Sequence, residues 1–270
     1  MFNKVLIANR GEIAIRIIRA LRELEITSVA VYSDSDKDSL HVLYADLAYP
    51  LYGDREIETY MDIEKIIKLA KNVGADAIHP GYGFLSEKEE FAKACEEAGI
   101  VFIGPESKVI GLMGNKIAAR KLMIASGVPV VPGTEEAVSD PEKAKKIAAA
   151  IGYPVLIKAA AGGGGVGMRA VQKEEDFSAM LERAQQQAAS VFGDASVFIE
   201  KYMDQPRHIE FQLLADSHGN IVHLGERECS IQRRYQKIIE ESPSTALTPE
   251  IRQKMGEVAL VAGRAVNYQG

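Results

Sequence analysis

The run Gly162-Gly163-Gly164-Gly165-Val166-Gly167 follows a lysine, Lys158, that ends the apolar stretch Tyr153-Pro154-Val155-Leu156-Ile157-Lys158. Glycine reaches positive φ without steric cost and lets backbone N–H groups turn inward, so such a run can form a nest for phosphate oxygens. An ammonium at the tip of the preceding strand can reach the same phosphates. Gly162, Gly164 and Gly167 satisfy G-x-G-x-x-G, but a dinucleotide site requires a helix to follow at once. Met168-Arg169-Ala170-Val171 reads instead as a second strand, which makes the loop a β-hairpin flap of the kind that covers a nucleotide. A Walker A loop is excluded, because no Lys-Ser/Thr pair follows the last glycine. Taken alone, the glycines equally suit a flexible linker and Lys158 a solvated strand end. Together they point to nucleotide binding.

Four further segments carry candidate chemistry. Phe198-Ile199-Glu200-Lys201-Tyr202-Met203 reads as a strand entering a hinge. It could offer backbone hydrogen bonds to an adenine between apolar walls of Ile157, Met168 and Met203, or be a core strand with an exposed Glu-Lys pair. In Arg207 to Leu213 the alternation is strict, with Ile209, Phe211 and Leu213 on one face and His208, Glu210 and Gln212 on the other. That polar face suits a cleft, and equally any half-exposed strand. Between Arg227 and Lys237 stand four cations, Arg227, Arg233, Arg234 and Lys237. They fit a small multiply charged anion, or a surface salt-bridged to Glu226, Glu228, Glu240 and Glu241. His79-Pro80-Gly81-Tyr82-Gly83-Phe84 follows an apolar run at its carboxyl end, where open α/β sheets place their ligands, although it could be a plain turn.

The elements that must position these residues alternate between strand and helix. Strands are expected over Lys4 to Ala8, Ser28 to Tyr32, Ala75 to Ile78 and Ile100 to Ile103. Between them run helices marked by Ile13, Ile17, Ile18 and Leu21, by Ile63, Ile66, Ile67 and Ala70, and by Phe91, Ala94 and Cys95. Such alternation implies a doubly wound parallel sheet over residues 1–112. Residues 113–270 continue with helices over Asn115 to Ser126 and Pro141 to Ile151. The apolar strand, the flap and a helix through Phe177 and Leu181 come next. Strands at Val197, His208 and Ile221 precede a last helix through Met255 and Ala262.

Composition bounds the rest. A chain that is 47% hydrophobic and 26% charged is an ordinary globular one with material for buried cores. A formal net charge of −6 argues against nucleic acid, which needs a basic footprint. No apolar run approaches the ~20 residues that cross a bilayer. Cys95 and Cys229 supply neither a disulfide framework nor metal-ligand spacing, so a cytoplasmic location is expected.

In this order, the segments resemble the biotin carboxylases, a family of ATP-grasp ligases. The match rests on KVLIANRGEIA from Lys4, HPGYGFLSE from His79, MGNKIAARK from Met113, YPVLIKAAAGGGGVGMR from Tyr153 and ERECSIQRRYQK from Glu226. The resemblance implies an α/β fold. A Rossmann-like (pre-ATP-grasp) domain occupies 1–112, and an ATP-grasp domain, incomplete at its C-terminal side, occupies 113–270 with a lid over about 131–203. It implies that Lys116 and Lys158 contact ATP phosphates beneath a flap holding Gly164 and Gly165. Glu200, Lys201, Tyr202 and Met203 would bind adenine, and His208 the ribose. Gln232 and Tyr235 would lie beside the nucleotide, although relatives often carry His where Tyr235 stands. Lys237 would hold bicarbonate as the catalytic residue, and Tyr82 and Gly83 would border a biotin pocket. Arg16, Arg19 and Glu23 match a homodimer interface. The expected cofactors are ATP, Mg²⁺ and biotin, with no metal ligand in this chain because the family's lie beyond residue 270. The expected partners are bicarbonate, a biotin carboxyl carrier protein or domain and a carboxyltransferase subunit. The implied reaction is carboxylation of protein-linked biotin through carboxyphosphate, with these 270 residues binding ATP but lacking full activity. The alternatives are another ATP-grasp ligase, of the carbamoyl-phosphate synthetase or purine-pathway type, and a non-catalytic nucleotide-binding fragment.

Overall fold

The computed structural model describes residues 2–160, 168–233 and 236–270, without the side chains of Lys116 and Phe192. Its chain divides into two units, Met1–Asn115 with Leu214–Asn220 and Val266–Gly270, and Lys116–Leu213 with Ile221–Ala265.

In the first unit, short runs of apolar residues form strands and 3.6-period segments form the helices between them. The elements are β1 (Lys4–Ile7), α1 (Gly11–Glu23), β2 (Thr27–Tyr32), α2 (Leu40–Tyr44) and β3 (Leu47–Pro50), then α3 (Ile63–Val73), β4 (Ala77–His79), α4 (Glu89–Glu97), β5 (Val101–Phe102) and α5 (Ser107–Gly114). The strands pair in parallel in the order β3-β2-β1-β4-β5. Alternate residues of β1 serve opposite faces. Leu6 packs with Val29, Ile66, Ile78 and Phe91, whereas Val5 and Ile7 pack with Ile17, Ile18 and Leu21 of α1. The doubly wound parallel sheet expected from the alternation is therefore present. Three elements escaped the periodicity. Helix α2 has only five residues and α5 only eight, and β3 is a four-residue strand at the edge of the sheet. Each is too short to display a clear period.

In the second unit, α6 (Lys116–Ala125) and α7 (Pro141–Ile151) precede β6 (Val155–Ala159), β7 (Arg169–Val171), α8 (Glu174–Phe192) and β8 (Val197–Lys201). Helix α7 starts where Asp140 accepts the N–H of Glu142 at 2.9 Å, with Pro141 in its first turn. β6 pairs antiparallel with β7 and with β8, so the residues after the glycine run do form the second strand of a hairpin. Val155, Ile157, Phe177, Leu181, Val197 and Ile199 make the core between this sheet and α7 and α8. A second sheet orders β11 (Gln236–Glu241), β10 (Ile221–Arg233) and β9 (Ile209–Ala215), and α9 (Pro249–Ala265) packs on β10. β10 is far longer than its apolar start suggested, because β11 pairs with it from Glu228 to Arg233, a partnership that the local sequence does not reveal.

Candidate functional site

Most of the described candidates of the second unit, the cofactor-binding ones and the catalytic Lys237, lie on or beside two sheets. On β6 and β8 the register places Leu156 opposite Glu200 and Lys158 opposite Phe198. Val155 and Ile157 are fully buried, so Leu156, Lys158, Phe198 and Glu200 share the opposite face. There Lys158 donates to the Glu200 carboxylate in an ion pair between half-buried side chains. Ile157 lies in the core, so it is no wall for a ligand beside Lys158. The apolar contacts on offer are the half-buried Met168 and the exposed Met203. The ammonium of Lys201 is turned to the carbonyls of Gly152 and Tyr153, at 2.9 and 3.0 Å. The N–H groups of Lys201 and Tyr202 bond Pro132 and Pro154. Gly164, Gly165 and Tyr235 lie outside the described residues, as does the side chain of Lys116 at the start of α6.

The second sheet resolves the alternation of β9 into two functions. Phe211 meets His223 edge-to-face on one side. On the other, Glu210 collects two of the four cations. Arg227 donates through Nε and Nη2 to Oε1 at 2.7 and 2.6 Å, and Lys237 donates to Oε2 at 2.5 Å. Burial pushes the Glu210 carboxyl up, but the hydrogen bonds from Lys237 and Arg227 outweigh it and hold it below the usual range. The same bond to Glu210 raises the Lys237 ammonium, ahead of the burial that opposes it, so Lys237 stays cationic. His208 lies beside Gln232, with Nδ1 and Nε2 2.7 Å apart. A register shift between Glu228 and Gln232 in the β10–β11 ladder sets Gln232 opposite Lys237. Bulges of this kind commonly re-aim side chains beside active sites. Among the described residues no hydrogen bond or ion pair joins the Lys158–Glu200 set to the His208–Lys237 set.

Among the described residues, Glu240 is the only one of the four acidic residues expected as salt-bridge partners that reaches one of these cations, Arg227, at 3.8 Å. Glu226 and Glu228 are buried and bind elsewhere. Glu226 takes Arg252 of α9 at 2.7 Å. Glu228 accepts Arg207 at 2.7 Å, Ser230 at 3.1 Å and Ser244 at 2.6 Å. Ser230 Oγ in turn accepts the N–H of His208 at 3.0 Å. Sequence reasoning missed this network because its members are scattered from Arg207 to Arg252.

In the first unit the loop after β4 places Tyr82 and Gly83 on a cavity of about 430 Å³ lined by residues 9–13 and 82–84. Tyr82 donates its hydroxyl to Glu12 at the start of α1.

The description "Biotin carboxylase, N-terminal domain" matches residues 1–110, and "Carbamoyl-phosphate synthase L chain, ATP binding domain" matches residues 115–270. The chain belongs to the biotin carboxylase family. It is 52% identical to the biotin carboxylase of Halalkalibacterium halodurans, over 100% of this chain and 60% of that protein. Against biotin carboxylase 1 of Bacillus subtilis the identity is 53%, over 100% of this chain and 60% of that one. The biotin carboxylase domain dimer of Hydrogenobacter thermophilus 2-oxoglutarate carboxylase, solved with MgADP, ADP and bicarbonate, superposes with a TM-score of 0.87. It is 51% identical over 100% of this chain and 59% of that chain. The chain therefore spans 59–60% of the length of these biotin carboxylase relatives.

The family's expected use of Mg²⁺ makes the acidic groups of this chain the candidate ligands. Among the described residues, Glu210, Cys229 and Glu240 form the one group close enough to share an ion. They do not fit Mg²⁺, which demands hard oxygen ligands. Both Glu210 oxygens are held by cations, and burial, then the Glu210 charge, pushes the Cys229 thiol up. No helix of the described residues is long and apolar enough to cross a membrane.

Proposed function

We propose that the protein carrying this chain is a biotin carboxylase. It uses ATP to activate bicarbonate as carboxyphosphate, which passes its carboxyl group to a ureido nitrogen of biotin on a carrier protein or domain. The observation that carries the reading is the succession, along one chain, of a biotin carboxylase N-terminal match and an ATP-binding match. Residues 1–112 form the N-terminal domain and residues 113–270 belong to the ATP-grasp domain, with its lid over about 131–203.

Transfer of this kind needs no protein nucleophile; positioning and charge supply the acceleration. Lys158 and Lys116 neutralise the phosphates beneath the flap of Gly164 and Gly165. Glu200 to Met203 hold adenine, His208 the ribose, and Gln232 and Tyr235 lie alongside. Glu200 holds Lys158 on the strand face, so the phosphates meet an ammonium already placed. Lys237, kept protonated by Glu210, holds the bicarbonate anion. Tyr82 and Gly83 border the biotin site. The H. thermophilus domain is a dimer, and Arg16, Arg19 and Glu23, all exposed along one stripe of α1, suit a homodimer contact here. The compartment is the cytoplasm, and a carboxyltransferase receives the product.

Lys237→Ala in the full-length protein tests the assignment. Bicarbonate-dependent ATP cleavage is expected to fall by about two orders of magnitude or more, as when a transition-state charge donor is removed, with ATP affinity retained. Unimpaired cleavage would refute the role. Another ATP-grasp ligase is the second reading, favoured by the carbamoyl-phosphate synthase description of residues 115–270. ATP cleavage stimulated by an amine or amino acid, and not by biotin with bicarbonate, would select it.

A further inference from the structure

We infer that Asn9 is a positioning residue that sets the conformation of the Tyr82–Gly83 loop and, through it, the affinity for biotin; this rests on the biotin carboxylase reading. Strand order 3-2-1-4-5 makes the gap between β1 and β4 the topological switch point, where chain connections leave in opposite directions. Ligands of open parallel sheets bind at that point, beyond the carboxyl ends of the strands. Asn9 stands just past the end of β1 and is 3% exposed. Both hydrogens of its amide are committed, to the carbonyls of Pro80 and Tyr82 at 2.8 Å each. Its Oδ1 accepts the Arg10 N–H at 2.9 Å.

The loop on the other end of those bonds needs such a brace. Gly81, Gly83 and Phe84 all have left-handed backbones, with φ of 65°, 67° and 41°. For Phe84 that conformation is costly and persists only where surroundings enforce it. Phe84 stacks on Tyr60 with centroids 5.2 Å apart, which holds one end. Asn9 holds the other. The fit is close enough that a Cβ on Gly81 would lie 2.7 Å from Asn9 Nδ2. The two carbonyls bound by Asn9 belong to the cavity-lining loop and not to the β-ladder, so the amide shapes the cavity wall.

Asn9→Asp removes both donors and sets a carboxylate against two carbonyls. Gly81→Ala disturbs the same contact from the loop side while keeping every donor. In the full-length protein each is expected to raise KM for free biotin about tenfold, the scale of a buried hydrogen bond unmade, with KM for ATP unchanged. Amide exchange over residues 79–86 should accelerate in step. Unchanged exchange in both variants overturns the inference, as does a parallel rise in KM for ATP and biotin. If Asn9→Asp does not fold, Gly81→Ala carries the same expectation. Tyr82→Ala separates the two layers. Should it raise KM for biotin while the Asn9 and Gly81 variants do not, only the positioning role falls. Should it too leave KM for biotin unchanged, the biotin reading of the loop is wrong and the inference goes with it.

Discussion

Glu228 shows how one buried carboxylate can govern a binding face it does not reach. Through Arg207, Ser230 and Ser244 it fixes the backbone on which His208 sits. The bonds from Ser244 and then Arg207 hold its carboxyl below the ordinary range, and Glu226 is lowered by Arg252 against its burial. A carboxyl whose folded pKa is depressed contributes stability that is complete above the unfolded value, near 4.3, and is lost as pH falls through the folded value. Stability should therefore decline below about pH 4.5, and Glu228→Gln should flatten that decline while lowering stability at neutral pH. Urea midpoints measured from pH 3 to 7 check this. A decline as steep in the variant as in the parent would remove Glu228 from the account. Lys237 has the opposite sign. Its raised ammonium contributes below the unfolded lysine value, and that contribution is lost as pH rises through the folded one.

At the scale of elements, the β6–β8 pair depends on a neighbour without regular structure. The N–H groups of Thr134 and Val138 bond Ile199 and Val197 at 2.8 Å each, which extends the sheet beyond β8. Gly133 bridges Glu200 in this pairing, and a Cβ there would lie 2.8 Å from the Ile199 carbonyl and 3.1 Å from Glu200 Cα. Both contacts are backbone and cannot swing aside. Gly133→Ala should cost about 1–3 kcal/mol, the range for overpacking, and weaken ATP binding by displacing Glu200 and with it Lys158. Unfolding together with ATP titration measures both. Full stability with unaltered ATP affinity would show that the edge yields freely.

For the molecule as a whole, the two units carry separate cores. Ile66 belongs to the core of the parallel sheet, and Leu181 to that between β6, β8 and the helices over them. Both are 2% exposed or less. Truncation to alanine should cost about 2–5 kcal/mol at either site. Because the clusters share no member, the double variant should lose the sum within roughly 0.5 kcal/mol. Chemical unfolding of the single and double variants decides it, and a coupling well beyond that figure would mean that the cores do not act independently.

Much of this was legible in order along the chain. Helical and strand periods are written within a few residues, so β1, α1, β2, α3 and the flap's second strand could be read locally, and the five family motifs carried the resemblance. The alternation of His208 to Leu213 likewise foretold a polar and an apolar face. What no local pattern encoded was partnership at a distance. That Glu210 would gather Arg227 and Lys237, that a bulge would turn Gln232 toward His208, and that Glu226 and Glu228 would turn inward all depend on strand register. The same holds for Asn9, a polar residue after a strand until the fold sets β4 beside β1. Periodicity is a property of neighbouring residues, whereas register and ion-pair choice arise only when distant segments compete for the same partners. For that reason, tertiary structure alone decided them.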